Sequence, residues 1–202
     1  MNPEEFQPSG AINFSDLNPK LPIDYQVALI TKLGIPIKDP KPIIHVSDAW
    51  RKSAHELLIS KNYDPKKPYC IIHPGARKYD QWQFEKFAKI MEYFFTRFNL
   101  GIILTCGPGQ FDQVERLTQY LSKEVPYTFI STELSVLLGI TATAKFVVCH
   151  NGGYMHAVSA IGVPLTALFG LTDYRIWGPS GETSVVLHKN IAVSYTHLRA
   201  HE

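Results

Sequence analysis

The stretch Phe146-Val-Val-Cys-His-Asn-Gly-Gly-Tyr-Met-His156 decides the fold, because a buried apolar run ends at a glycine pair and a helix begins directly after it. Its first four residues are predicted to form a strand. Asn151 can cap the helix, and Gly152 and Gly153 leave backbone N–H groups open to close approach by a phosphate. His156, on the first turn, can donate a hydrogen bond or a charge to the same anion. The stretch predicts an anion site at the carboxyl end of a strand, where open α/β sheets bind ligands.

Strand-length apolar runs alternate with amphipathic helical segments from residue 69 onward. The alternation indicates a parallel sheet that is covered by helices on both faces. We therefore predict an α/β fold with a Rossmann-like, doubly wound parallel sheet. The predicted strands are 69–73, 101–105, 127–130, 146–150, 165–169 and 184–187, and the predicted helices between them are 83–98, 111–122, 133–144 and 154–161.

The first 65 residues follow a different pattern, because prolines interrupt segments that are too short for a βαβ unit. They predict helices at 24–33 and 49–59, a short strand at 42–46 and a linker at 62–68. We expect residues 1–65 to be the remnant of an N-terminal domain with its linker, and residues 66–192 to be the Rossmann-like domain. The last ten residues, 193–202, continue neither the helical nor the strand periodicity. They are interpreted as a non-native tail, and the alternative is a native polar tail.

Composition limits the possible functions. The 202 residues are 45% hydrophobic and carry a formal net charge of +2, which fits a globular chain without the broad basic field that nucleic-acid binding requires. No signal peptide or membrane-spanning run is apparent, so we expect a soluble, cytoplasmic protein. Cys70 and Cys149 lie in predicted strands and Cys106 directly follows one. The three are far apart, and we expect them to be small buried hydrophobes rather than disulfide partners or metal ligands.

Four loops follow predicted strands and should meet at one edge of the sheet. Glycine-rich turns before helices can surround a diphosphate with N–H donors, while Arg77 or Lys78 supplies a positive charge. No Asp-x-Asp sequence is present to hold a divalent ion, and we expect no metal site. Each loop taken alone is also explained by ordinary turn geometry. The loops are His73-Pro-Gly-Ala-Arg-Lys78, Thr105-Cys-Gly-Pro-Gly-Gln110, His150-Asn-Gly-Gly-Tyr-Met-His156 and Gly170-Leu-Thr-Asp173.

These loops, in this order, resemble the ADP-heptose:lipopolysaccharide heptosyltransferases of glycosyltransferase family 9. The resemblance covers roughly residues 66–188, with a weaker similarity at residues 24–34. The motifs that carry it are His73-Pro-Gly-Ala76, Gln81-Trp82, Cys106-Gly-Pro-Gly-Gln110, Asn151-Gly-Gly-Tyr-Met-His156, Gly162-Val-Pro-Leu-Thr-Ala-Leu-Phe-Gly-Leu-Thr172 and Trp177-Gly-Pro179.

The resemblance implies the carboxyl-terminal, donor-binding half of a two-domain GT-B glycosyltransferase. Such an enzyme transfers a sugar from a nucleotide-diphospho-sugar, for example an ADP-sugar, to a lipopolysaccharide or other surface-glycan acceptor. The acceptor and the catalytic base are expected in an N-terminal domain that this chain lacks, so no catalytic residue is assigned. The resemblance implies no cofactor. It implies a location near the inner face of the membrane. The donor-binding residues it implies are Arg77, Lys78, Gly107, Gly109, Gln110, Asn151, Gly152, Gly153, Tyr154, Met155, His156, Thr172 and Asp173.

The chain departs from the family pattern at four positions. Asp80 stands where the family has Lys, Gln110 replaces Glu, Asn151 replaces Asp and Gly152 replaces Ser or Thr. These changes remove acids that would accept hydrogen bonds from ribose hydroxyls and a lysine that would neutralise a phosphate. They leave two alternative functions open. One is a catalytically inactive nucleotide-sugar-binding module, and the other is a GT-B-like sugar-nucleotide epimerase.

Overall fold

The computed structural model describes residues 22–78 and 80–188, the side chains of 22–25 excepted. The predicted tail at 193–202 lies outside these residues. Seven helices and six strands follow one another in the described ranges. They are α1 (Pro22–Lys32), α2 (Asp48–Ser60), β1 (Tyr69–His73), α3 (Phe84–Phe98), β2 (Gly101–Thr105), α4 (Phe111–Thr118), β3 (Thr128–Ile130), α5 (Leu134–Thr141), β4 (Phe146–His150), α6 (Gly153–Ile161), β5 (Leu165–Phe169), α7 (Tyr174–Trp177) and β6 (Ser184–His188).

The six strands form one parallel sheet in the order β3-β2-β1-β4-β5-β6. The chain builds the sheet outward in one direction from β1 and then returns to build outward in the other direction from β4. This reversal is the mark of a doubly wound sheet, and it confirms the predicted fold class. The central strand β1 is buried along its whole length, as expected of a strand that is covered on both faces.

Two hydrophobic cores lie on the two faces of the sheet, because successive strand side chains point to opposite sides. On β1, Tyr69 and Ile71 join the core beneath α2, α5 and α6, while Cys70 and Ile72 join the core beneath α3 and α4. All three cysteines are buried and free, as the sequence predicted.

The helix α2 is part of the first core, although it precedes the predicted boundary at residue 65. Ser47 caps it by accepting a hydrogen bond from the backbone N–H of Trp50 at 3.2 Å. Ala54 and Leu58 of the helix are buried in the first core. Gly139 of α5 faces α2 so closely that a methyl group on it would overlap the carbonyl oxygen of Trp50. The contact between α2 and α5 therefore depends on a residue without a side chain.

The prediction of a strand at 42–46 is wrong, since the structure has irregular backbone at 35–47. Pro40 and Pro42 have no N–H to donate to a ladder. The segment instead follows the end of α6, where the N–H of Ile44 donates to the carbonyl of Ala160 at 3.0 Å. The helices predicted at 111–122 and 133–144 are shorter, ending at Thr118 and Thr141, and α7 was not predicted.

Gly139→Ala should lower the free energy of unfolding by about 1–3 kcal/mol, because the added methyl group forces α2 and α5 apart. Urea unfolding followed by circular dichroism measures the loss. Gly153→Ala is the matched control, since a methyl group there meets no atom within 4 Å. Equal stability of the two variants would show that α2 is not tightly packed on α5.

Candidate functional site

The candidate site lies where the order of the sheet reverses. The strands β1 and β4 are neighbours, with His73 opposite Cys149, so the loops that follow them emerge side by side at the carboxyl edge. The crossovers from these two strands leave in opposite directions, and at such a switch point doubly wound sheets form a ligand-binding crevice. The loop after β2 comes next along the edge, and the loop after β5 flanks the other side.

The helix α6 begins directly in this crevice. Gly152 is its N-cap and Gly153 its first helical residue. The prediction that Asn151 caps the helix is wrong, because Asn151 still extends the ladder of β4 by donating its N–H to the carbonyl of Leu168 at 3.0 Å. A glycine cap offers no side-chain oxygen to the first turn.

The first turn of α6 is open to solvent. Gly152 and Gly153 are exposed, and a Cβ atom on either would have no neighbour within 4 Å. The N–H groups of Gly153, Tyr154 and Met155 precede the first intrahelical bond, which joins His156 N to the carbonyl of Gly152 at 3.4 Å. Met155 is fully buried, so the N–H groups of Gly153 and Tyr154 are the ones in this turn that an anion can reach, and the positive end of the helix dipole adds to their attraction.

His156 stands on the same turn with an exposed side chain. Partial burial lowers the pKa of its imidazole from the ordinary value of 6.5. This shift favours the neutral ring in the ligand-free protein, and the ring can donate a hydrogen bond to an anion.

The side chains of Tyr154 and Met155 point into the domain. Met155 is fully buried in the core. The Tyr154 hydroxyl lies 2.8 Å from Thr141 Oγ1, and its ring centroid lies 4.8 Å from that of His73. A contribution of Tyr154 to a ligand is restricted to its backbone N–H, and the side chains of both residues fix the helix in place.

The loop after β1 is held by two glutamines of the next loop and helix. The Gln113 amide accepts from Ala76 N at 3.0 Å and donates to Ala76 O at 3.2 Å. The Gln110 side chain accepts from Gly107 N at 3.0 Å and packs against Gly75, where a Cβ atom would not fit. Sequence reasoning missed Gln113, since a glutamine on an amphipathic helix carries no signal of a partner 37 residues away.

The other donor-binding residues predicted in these two loops either have exposed side chains or stabilise the backbone of the loop. Arg77 and Lys78 have exposed side chains at the end of the loop after β1. Gly109 takes a φ of +75°, which favours glycine at that turn. Gly107 serves as the donor to Gln110, so the turn at 107–110 closes on itself.

Two buried histidines end β1 and β4 beneath the crevice. His150 Nε2 accepts from the N–H of Trp82 at 2.8 Å, which ties β4 to the start of α3. Desolvation lowers the pKa of His73 to about 4, and the neighbouring His150 adds to this effect. Desolvation also lowers the pKa of His150 to about 4, against smaller opposing effects from the backbone at Pro74 and Gly75 and from Asp80. Both rings are neutral and structural at pH 7.

The loop after β5 is joined to the loop after β1 by a buried carboxylate. Asp80, 5% exposed, accepts from the N–H of Thr172 at 3.2 Å and from its hydroxyl at 2.9 Å. Asp173 caps α7 by accepting from Arg175 N at 2.9 Å and pairs with the Arg175 guanidinium at 2.8 Å. The polar side chains of Thr172 and Asp173 are thus engaged within the protein.

Comparison with known proteins places this geometry in a family. The model of glycosyltransferase family 9 (heptosyltransferase) matches residues 22–199. The chain belongs to this family. Its membership supports a transferase and does not favour the epimerase alternative.

The chain is similar to lipopolysaccharide heptosyltransferase 3 of Escherichia coli K12, with 27% identity over 70% of this chain and 41% of the relative. It spans less than half the length of the curated relatives that it matches. Its fold is similar to that of E. coli ADP-heptose LPS heptosyltransferase II (TM-score 0.73, 16% identity, 88% of this chain and 56% of the other). It is also similar to that of E. coli heptosyltransferase WaaC with ADP (TM-score 0.59, 18% identity, 82% and 49%).

Across the described part of the chain, no helix has both the length and the apolar run that a membrane crossing needs.

Stability should fall on acidification through the window from pH 6.5 to 4. The folded-state pKa of each buried histidine lies below its unfolded value, so the unfolded chain binds more protons there, and each site costs up to about 3 kcal/mol by pH 4. Urea unfolding at several pH values measures the slope, which His73→Phe should reduce.

The matched control is His55→Phe on the exposed side of α2, which should leave the pH slope unchanged. A slope in His73→Phe equal to that of the original chain would contradict the assignment of a neutral buried imidazole at this position.

Proposed function

We propose that this chain is the donor-binding half of a heptosyltransferase-like enzyme, which transfers a sugar from a nucleotide-diphospho-sugar to a lipopolysaccharide or other surface-glycan acceptor. The observation that carries the proposal is the open first turn of α6, where N–H groups without helical partners meet the crevice of a doubly wound sheet. The names of the relatives support the reaction, and a similar structure described with ADP supports a nucleotide donor.

The diphosphate of the donor lies on the first turn of α6 in this proposal. The N–H groups of Gly153 and Tyr154 donate to its oxygens, the imidazole of His156 donates one further hydrogen bond, and the buried Met155 holds the turn in place. Asn151 and Gly152 line the approach. Arg77 or Lys78, at the end of the neighbouring loop, supplies a positive charge.

The nucleoside part of the donor lies along the next loop of the edge. Gly107, Gly109 and Gln110 border the ribose or base, chiefly through backbone, because the Gln110 oxygen already accepts from Gly107. Thr172 and Asp173 border the sugar on the opposite side, and their bonds to Asp80 and Arg175 keep that wall in shape.

The reaction is an inverting displacement at the anomeric carbon of the donor sugar. An acceptor hydroxyl oxygen forms the new bond to this carbon, while the bond between the carbon and the diphosphate oxygen breaks and its electron pair leaves with the diphosphate. The α6 amides stabilise the charge that develops on the leaving group. A carboxylate of an N-terminal domain takes the hydroxyl proton, and that domain holds the acceptor at the cytoplasmic face of the membrane.

Gly152→Val should weaken the binding of ADP by about tenfold or more, because the isopropyl group covers N–H groups that donate to a charged ligand. Gly152 has φ 164° and ψ 178°, an extended backbone that valine adopts, so the variant should fold, at a cost of up to about 1 kcal/mol because valine is a poorer N-cap than glycine. His156→Ala should weaken binding by a smaller factor. Isothermal titration of the 202-residue chain with ADP, UDP and GDP measures both effects.

His55→Ala is the matched control for His156→Ala, since His55 is an exposed histidine on α2. The proposal fails if the original chain binds none of the three nucleotides. It also fails if Gly152→Val binds them as tightly as the original chain does.

A further inference from the structure

The first turn of α6 begins with two residues that cannot hold it in place. Gly152, the N-cap, and Gly153 have no side chains, and a Cβ atom on either would meet no neighbour within 4 Å. Glycine restricts the backbone less than any other residue does. The first side chain of α6 that can fix the direction of the N–H groups in this turn is therefore that of Tyr154.

The hydroxyl of Tyr154 is bonded to the last residue of α5. It lies 2.8 Å from Thr141 Oγ1, which in turn donates to the carbonyl of Leu137 at 2.8 Å. A threonine hydroxyl has a single proton, and here that proton goes to Leu137. The O–H of Tyr154 is therefore the donor to Thr141. Burial raises the pKa of the Tyr154 hydroxyl above its ordinary value, which keeps this donor protonated.

The acceptor of this bond is a fixed point of the domain. Thr141 is fully buried, as are the four residues of α5 before it. The same helix is packed closely on α2, where Gly139 meets the carbonyl of Trp50. A hydrogen bond to the end of α5 therefore ties the first turn of α6 to a part of the structure that close packing holds in place.

The ring of Tyr154 is held from another side by the end of β1. Its centroid lies 4.8 Å from that of His73, and the two ring planes are inclined at 36°. This contact and the burial of Met155 are non-directional, whereas an O–H···O hydrogen bond requires alignment of the donor with the acceptor. The bond to Thr141 is thus the contact that determines the rotation of the turn.

We propose that Tyr154 is a positioning residue, whose hydroxyl bond to Thr141 sets the orientation in which Gly153 and Tyr154 present their N–H groups to an anion. The orientation is a property of the ligand-free chain, and its use in donor binding rests on the proposed function. Loss of the bond should leave the fold intact and loosen the turn. An anion that needs both N–H groups then binds less tightly.

The test compares two tyrosines that each lose one buried hydroxyl bond. Tyr154→Phe keeps the ring and should weaken the binding of ADP by about threefold to tenfold. Tyr69→Phe is the matched control, because the Tyr69 hydroxyl donates to the carbonyl of Ile140 at 2.6 Å, at the same end of α5. It should lose a similar stability in urea and bind ADP as the original chain does. Isothermal titration of the 202-residue chain measures the affinities.

The acceptor side of the bond gives a second set of variants. Thr141→Val should weaken the binding of ADP by about the same factor as Tyr154→Phe, and Thr141→Ser, which keeps the hydroxyl, should bind as the original chain does. The double variant Tyr154→Phe with Thr141→Val should bind no more weakly than either single variant, because both remove the same bond.

The amide spectrum of the ligand-free, ¹⁵N-labelled chain tests the orientation without ADP. Thr141→Val should shift the N–H resonances of Gly153 and Tyr154, whereas Thr143→Val, which alters the partner of Tyr69 instead, should leave them in place. The proposal is overturned if Thr141→Val leaves these resonances unchanged, if Tyr154→Phe binds ADP as the original chain does, or if Tyr69→Phe weakens ADP as much. A failure of the original chain to bind ADP counts against the proposed function, and the ligand-free spectra then decide the role of Tyr154.

Discussion

The unpaired backbone N–H groups at the start of α6 are the constraint on which the site depends. Every helix leaves its first N–H groups without internal partners, and a Ser, Thr, Asn or Asp cap commonly satisfies one of them. Here the cap is Gly152, which costs the helix a few tenths of a kcal/mol and leaves these groups accessible. The parallel pairing of β1 with β4 puts this turn at the switch point of the sheet, the place where doubly wound sheets bind ligands.

The polar side chains around the crevice mainly fix the shape of the loops. Gln113 binds both backbone groups of Ala76, His150 binds the N–H of Trp82, and Asp80 binds Thr172. These contacts join the loop after β1 to the loops after β2, β4 and β5. Asp80 accepts from the N–H of Thr172, which a lysine could not do, whereas a glutamate at position 110 could accept from Gly107 as Gln110 does.

The strands could be predicted from the sequence because their apolar runs have the length and β-branched content of buried parallel strands. The apolar residues Ile43 and Ile44 suit a strand at 42–46, but Pro40 and Pro42 beside them cannot donate to a ladder. The inward direction of Met155 was predictable, since Met155 and Val158 lie three residues apart on one face of α6. The contact between Asp80 and Thr172 joins residues 92 positions apart, and only the folded sheet brings them together.

The most direct test of the account is the amide spectrum of the ¹⁵N-labelled chain during titration with ADP. If the diphosphate binds the open turn of α6, the N–H resonances of Gly153, Tyr154 and Met155 should show the largest shifts, with smaller changes at Gly107 and Gly109. Binding of ADP that leaves the α6 resonances in place, or shifts resonances of α2 and the 62–68 linker instead, would contradict it.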